Sequence, residues 1–173
     1  GDVYKRQEVR PLPGSLDAVP VFNSNSPEVV RTEGILLSTF PTNGMRVARA
    51  HLNFPMQGRF DIFSHHISRA DAKEEGRTLF QGIMVYNPGP HRVRLDVLEA
   101  ASYISRFDAP YKVLPAYVED AIGSIYSGAG SRVAGDVMRG RQRAIAQSTI
   151  ELEPRQAEML MNLPCLLYTS PSP

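Results

Sequence analysis

The sequence predicts a mainly β fold, an antiparallel β-sandwich of Ig-like or jelly-roll type with one short helix. Three observations lead there. Short runs rich in Val, Ile, Leu and Phe recur along the chain, clusters of Pro and Gly separate them, and a single stretch has helical periodicity. The 173 residues, with fourteen prolines and thirteen glycines, suffice for one domain or a large piece of one.

The elements follow in order. Glu8–Pro27 is rich in Pro and Asn, which forbids a helix and predicts an extended arm with a short strand at Ala18–Phe22. Glu28–Phe40 reads as a strand broken by a bulge or bend at Gly34. Pro41-Thr-Asn-Gly44 is a turn in which Asn-Gly supplies positive φ, and Met45–Asn53 is a weaker strand. Arg59–Ile67 places Phe60 and Ile62 on one face and Phe63 on the other, a strand with both faces at least partly covered, and Ser68–Arg77 is charged and turn-like.

The clearest signal lies further on. Thr78–Tyr86 is a largely apolar strand, Asn87-Pro-Gly-Pro90 a turn, and His91–Leu98 a strand alternating Val93, Leu95 and Val97 with Arg92, Arg94 and Asp96. That pattern predicts a hairpin with one solvated face. Thr149–Leu152 and Ala157–Leu163 flank Glu153-Pro-Arg-Gln156 as a second strand–turn–strand. Ser131–Ile145 is the helix, with Val133, Val137, Met138, Arg141 and Ile145 at three- and four-residue spacings and Ser131 as its cap.

Both ends carry a mark of foreign origin. Gly1-Asp-Val-Tyr-Lys-Arg-Gln7 can be encoded by GGAGATGTGTATAAGAGACAG, and the reverse complement, read from its second base, encodes Cys-Leu-Leu-Tyr-Thr-Ser and the start of a Pro codon, the run that begins at Cys165. An adaptor read through from both sides produces that relation, and the string resembles the transposase adaptor of sequencing libraries. Residues 1–7 and 165–173 are therefore expected to be adaptor translation, leaving Glu8–Pro164 as a single β-rich domain or part of a larger one. Loss of Asp2, Lys5 and Arg6 takes the net charge from +1 to zero, and Cys165 leaves with the tail. On this reading the chain is an internal fragment, and the absence of a signal peptide carries no weight.

Composition excludes several function classes. A nearly neutral chain lacks the basic footprint of a nucleic-acid binder, no apolar run reaches a membrane span, and one cysteine permits neither a disulfide framework nor a cysteine-built zinc site. No cofactor motif is present. Four constellations remain. His65 and His66, with His51 and Asp61 as further ligands, suit zinc chemically, but adjacent strand residues point to opposite faces, so His51 or His91 has to complete any site. Ser127-Gly-Ala-Gly-Ser-Arg132 precedes the helix, where the amides of Gly128, Gly130 and Ser131 with Arg132 suit an anion; a flexible loop with a cap explains the same residues. Arg139-Gly-Arg-Gln-Arg143 is basic at the helix C-terminus, where the dipole alone accounts for it. Asp96 with Glu99, or Glu119 with Asp120, is a carboxylate pair available for glycoside hydrolysis, though nothing in the spacing selects either, and no catalytic residue is assigned. Phe54, Phe60, Phe63, Tyr86, Tyr103, Phe107 and Tyr111 are a sugar platform if exposed and core if buried, and the absence of tryptophan favours core.

The blocks Glu8-Val-Arg-Pro-Leu-Pro-Gly14, Pro20-Val-Phe-Asn-Ser-Asn-Ser-Pro27, His51-Leu-Asn-Phe-Pro55, Gly58-Arg-Phe-Asp-Ile-Phe-Ser-His-His66 and Ala100-Ala-Ser-Tyr-Ile104 together resemble the cyanobacterial family labelled domain of unknown function 3370. The resemblance runs over Glu8–Pro164 and includes Ser127–Gly140. It implies an exported protein of the periplasm or cell envelope, of which this chain is an N-terminal portion, and it carries no catalytic residues over. The expectation is an uncharacterised envelope protein that is structural or binds glycan or another envelope protein. The alternative is a carbohydrate-active hydrolase whose site is completed by a C-terminal portion.

Overall fold

The computed structural model describes residues 18–68, 78–104, 117, 119, 129–140 and 147–165. In chain order these form β1 (Val21–Ser24), β2 (Val29–Val30), a 3-10 turn (Ala48–Ala50), β3 (Asp61–Ser64), β4 (Ile67–Ser68), β5 (Leu79–Tyr86), β6 (Val93–Asp96), α1 (Ala129–Met138), β7 (Thr149–Leu152) and β8 (Ala157–Cys165). Among the described residues strands dominate and one α-helix accompanies them, as the sequence pattern predicts. The chain divides into two compact units, Gly1–Asn25 with Ile35–Ser64, and Ser26–Gly34 with His65–Pro173.

In the first unit β1 and β3 pair in parallel, Val21 opposite Asp61 and Ser24 opposite Ser64. The strand expected at Ala18–Phe22 thus starts at Val21, because Pro20 has no N–H and takes part only through its carbonyl, which accepts from the Asp61 amide at 3.0 Å. The turn at Thr42–Met45 closes with a Met45 N–H to Thr42 bond of 3.3 Å, and Gly44 supplies its positive φ of 75°. The strand expected over Met45–Asn53 is a correction. Ala48-Arg-Ala50 instead makes one 3-10 turn, the Ala50 and His51 amides donating to the Val47 and Ala48 carbonyls at 3.0 Å, and only His51 bridges to Ser38. Alanine favours that turn over extension. Glu28–Phe40 is likewise no continuous strand. It reduces to β2 and the bridge at Ser38, since the polar Arg31-Thr-Glu-Gly34 offers no apolar alternation for a sheet to bury. Asp61–Ser64 is a strand whose Ile62, Phe63 and Ser64 are all half-buried, as a strand covered on both faces requires.

In the second unit β2 pairs with β4, again in parallel, Val29 opposite Ile67. Two of the four described pairings are therefore parallel, which corrects the wholly antiparallel expectation. Every described sheet has two strands, and none closes.

The largest departure concerns the expected hairpins. β5 and β6 lie where the alternation puts them, but β5 pairs with β8 and β6 with β7, both antiparallel. Each connection thus crosses from one ribbon to the other. The reason is in the connecting residues: Pro88 and Pro90 contribute no N–H to a hairpin ladder, and Asn87 directs its own hydrogen bonds at the other connection. Its amide donates to the Gln156 carbonyl at 2.9 Å, and its carbonyl accepts from Arg155 at 3.0 Å. Its side-chain Nδ2 donates to the carbonyls of His91, Leu152 and Glu153 at 2.8, 3.1 and 3.1 Å, while Oδ1 accepts from the Gly89 amide at 3.0 Å. The residue is 3% exposed.

The solvated face of β6 is as expected. Arg94 stands opposite Glu151 and Asp96 opposite Thr149; on the other side the half-buried Leu95 is opposite Ile150, but Val93, opposite Leu152, is 44% exposed. Ile150 and Leu152 are buried, worth about 1.5–3 kcal/mol each when fully withdrawn from water.

The helix runs Ala129–Met138 instead of Ser131–Ile145, and Ser131 lies inside its first turn instead of capping it. Gly140 ends it: φ is 63°, its amide donates to the Val137 carbonyl at 3.0 Å, and Arg139 Nη1 reaches the Gly135 carbonyl at 3.2 Å. The arm over residues 8–17, the turn over 69–77, and Arg141, Arg143 and Ile145 lie outside the described residues.

Candidate functional site

The described residues of the first unit hold a cluster of apolar side chains in the open. Three backbone bonds lay residues 38–40 beside 52–54: Leu52 N–H to Ser38 at 2.8 Å, Phe54 N–H to Thr39 at 3.1 Å and Asn53 N–H to Phe40 at 3.0 Å. Phe40, Leu52 and Phe54 on these neighbouring segments are exposed, as is Val47 just before the 3-10 turn. Phe54, expected in the core, is 54% exposed. Phe60, Phe63, Tyr86 and Tyr103 are half-buried, and Phe107 and Tyr111 lie outside the described residues. His51, next to Leu52, is buried, with no hydrogen-bond partner for its Nδ1.

The second unit has an apolar face of its own. Along β5 the half-buried Leu79, Gln81, Ile83 and Val85 alternate with the exposed Phe80, Gly82 and Met84. On β8, Met159 is opposite Met84 and places its terminal methyl over Gly82, 2.6 Å from where a Cβ would sit. Of these open residues, only Phe54 is expected in the core from sequence; Phe40, Leu52, Phe80 and Met84 are read there only as parts of strands. The signal that could have found them is that an apolar strand needs a cover on each face, and the remaining chain offers few candidates for a second cover.

At the helix start Gly130, Ser131 and Arg132 all fall in the first turn, and Gly128 lies outside the described residues. The Arg132 guanidinium lies over the Tyr103 ring, 5.1 Å from its centroid, so part of its charge is engaged by the aromatic face. Of the histidines, His51 belongs to the first unit and His65 and His66 to the second. His66 Nδ1 meets the Pro27 carbonyl at 2.9 Å. Among the described residues no group of three or more His, Cys, Asp or Glu side chains is placed to hold a metal ion.

Of the carboxylates, Asp96 Oδ1 accepts from Arg94 Nε and Thr149 Oγ1, both at 2.9 Å. Those bonds, the one from Arg94 foremost, hold its carboxyl below the usual carboxylate range. A carboxyl kept ionised in this way is unsuited to act as a general acid. Glu119 is exposed and Asp120 lies outside the described residues. Arg92 bridges Glu151 at 3.3 Å and also Glu153, and its guanidinium is held above its ordinary value by the hydrogen bond to Glu153 first and by both charges after it. A hollow of about 150 Å³ is lined by Gln147, Ile150, Glu151, Glu158 and Met159. It is smaller than the roughly 300–1,000 Å³ of a ligand pocket. Among the described residues no helix is long and apolar enough to cross a membrane.

A family model described as a protein of unknown function (DUF3370) matches residues 7–171, from just before Glu8 to beyond Cys165. No curated protein and no solved structure matches the chain.

Proposed function

The chain belongs to the DUF3370 family, and from that premise we propose that it is an exported, β-rich protein of the cyanobacterial cell envelope with a structural or binding role and no catalysis of its own. The observation that carries the binding role is the apolar surface left open at Phe40, Val47, Leu52 and Phe54. An exposed apolar cluster of this kind marks a surface for a partner. Aliphatic side chains among the aromatic ones, and a chain without tryptophan, favour an envelope protein over a glycan as that partner. The ribbons β5·β8 and β6·β7, each with one less exposed side, are read as facing layers of a small sandwich, and residues 1–7 and 165–173 as translated adaptor.

The test is to incubate the purified chain with isolated cyanobacterial envelopes and measure both its retention in the pellet and the sugar ends released. Retention without release is expected. Mild protease treatment of the envelopes should abolish retention, as should Phe40→Ser with Phe54→Ser. Release of reducing ends would overturn the reading in favour of a hydrolase, and retention on protein-free polysaccharide would move the partner to glycan. Sequencing the reading frame from overlapping, adaptor-free DNA tests export and both ends together. A signal peptide upstream and loss of GDVYKRQ and CLLYTSPSP are expected; a frame that opens without a leader and retains both runs would contradict both.

A further inference from the structure

The asparagines of the chain are Asn23, Asn25, Asn43, Asn53, Asn87 and Asn162, and of these Asn43 alone is followed by glycine. Asparagine is chemically labile because its carboxamide carbon can close a five-membered ring with the backbone nitrogen of the next residue. A side chain on that next residue obstructs the approach, and glycine has none. Asn87 stands at the protected extreme: Pro88 brings no N–H to react, and the carboxamide is tied into hydrogen bonds at a buried corner. Nothing comparable guards Asn43. Both Asn43 and Gly44 are exposed, and a Cβ built at Gly44 would meet nothing within 4 Å. Among the described residues neither the Asn43 carboxamide nor the Gly44 amide makes a hydrogen bond. The turn that holds them is closed by the Met45 N–H on the Thr42 carbonyl at 3.3 Å, a long bond. An exposed turn held in this way opens locally at little cost, which frees Asn43 to rotate its carboxamide onto the Gly44 nitrogen.

We propose that Asn43 is a site of spontaneous deamidation, at which the native turn converts to aspartyl and isoaspartyl forms. Hydroxide removes the Gly44 amide proton, and the nitrogen attacks Cγ of Asn43. The bond from Cγ to Nδ2 breaks, and ammonia leaves with a proton taken from water. The product is a succinimide whose ring nitrogen is that of Gly44. Water then adds to one of the two ring carbonyls. Addition at Cγ breaks the bond from Cγ to the nitrogen and leaves an ordinary peptide with aspartate at position 43. Addition at the main-chain carbonyl breaks the peptide bond instead, so that the chain runs on through Cβ and Cγ and the α-carboxylate hangs free as isoaspartate. Over the whole course one water is consumed and one ammonia released, and nothing is oxidised or reduced. Either product puts a negative charge where the amide was neutral. The isoaspartyl form also adds an atom to the backbone between Thr42 and Met45, so the bond that closes the turn cannot keep its geometry. This chemistry does not depend on an envelope role or on the open apolar surface.

The test holds the whole chain at physiological temperature in mildly alkaline water enriched in heavy oxygen and maps its peptides at increasing times. Residue 43 should gain heavy oxygen and a negative charge, with ammonia released in equal amount. Its isoaspartyl fraction should accept a labelled methyl group from an isoaspartyl methyltransferase. The conversion should slow in mildly acidic buffer, where hydroxide is scarce. Asn43→Gln would need a six-membered ring to react and should lose the signal at this position, while its exposed site leaves the fold unchanged, checked by an equal thermal melt. A synthetic peptide of residues 40–47 is the unprotected reference. A folded chain that stays intact at Asn43 while the peptide reacts overturns the proposal. So does a chain that reacts at Asn25 before Asn43, or methyl labelling undiminished in Asn43→Gln.

Discussion

Asn87 uses all of its polar atoms at the corner where the two connections of the second unit meet. The carboxamide fits in one orientation, since its nitrogen faces three carbonyls and its oxygen faces an amide. Asn87→Ala leaves these buried groups without partners and should cost about 2–4 kcal/mol, read as the shift in a urea unfolding midpoint. Asn87→Asp keeps the acceptor for Gly89 but turns a carboxylate toward three carbonyl oxygens. It should therefore be worse than alanine at neutral pH and recover as the pH falls and the carboxyl protonates; a midpoint that does not depend on pH would contradict the arrangement. Asp96 behaves in the opposite sense. Its folded carboxyl is held below the usual range by Arg94 and Thr149, so its contribution is present above the unfolded value near pH 4 and is lost as pH falls through the lower folded value. Melting temperatures of the native chain and Asp96→Asn should differ at pH 7 and begin to converge only as the pH falls below about 4.

At the scale of elements, the sequence was legible in kind and much less so in partner. Leu79–Tyr86, Val93–Asp96, Thr149–Leu152 and Ala157–Cys165 stand within a residue or two of their expected places, because alternation along a strand is a local property. The pairing of those strands goes with the bonds of Asn87, whose partners at Leu152 and Glu153 are more than sixty residues away, and no local pattern carries that. The helix ends before Ile145 although Val133 and Ile145 keep a helical spacing, because Gly140, with φ 63°, stops it in a left-handed conformation. As for the candidate site, Phe54 is hidden by the expectation that aromatic residues are core, whereas it is 54% exposed. Crossed pairing has a direct check. Arg94 and Glu151 are opposite each other on exposed positions, so Arg94→Cys with Glu151→Cys, in a Cys165→Ser background, should oxidise to an internal disulfide found by peptide mapping. A β5–β6 hairpin would leave the two thiols apart and reduced.

At the scale of the whole molecule, burial is thin among the described residues. Their buried apolar side chains are Ala50, Ile150 and Leu152, while Val21, Ile35, Phe40, Leu52, Phe54, Phe80, Met84 and Leu98 are open to water. Domains stabilise themselves chiefly by withdrawing such surface, so this chain on its own should be weakly cooperative. The most direct test of that claim is a thermal melt of the isolated 173-residue chain followed by near-ultraviolet circular dichroism, with a hydrophobic dye present at 25 °C. The account predicts dye binding before heating and a broad transition below about 45 °C. A sharp, cooperative transition above about 65 °C with no dye bound would show a self-sufficient core and contradict it.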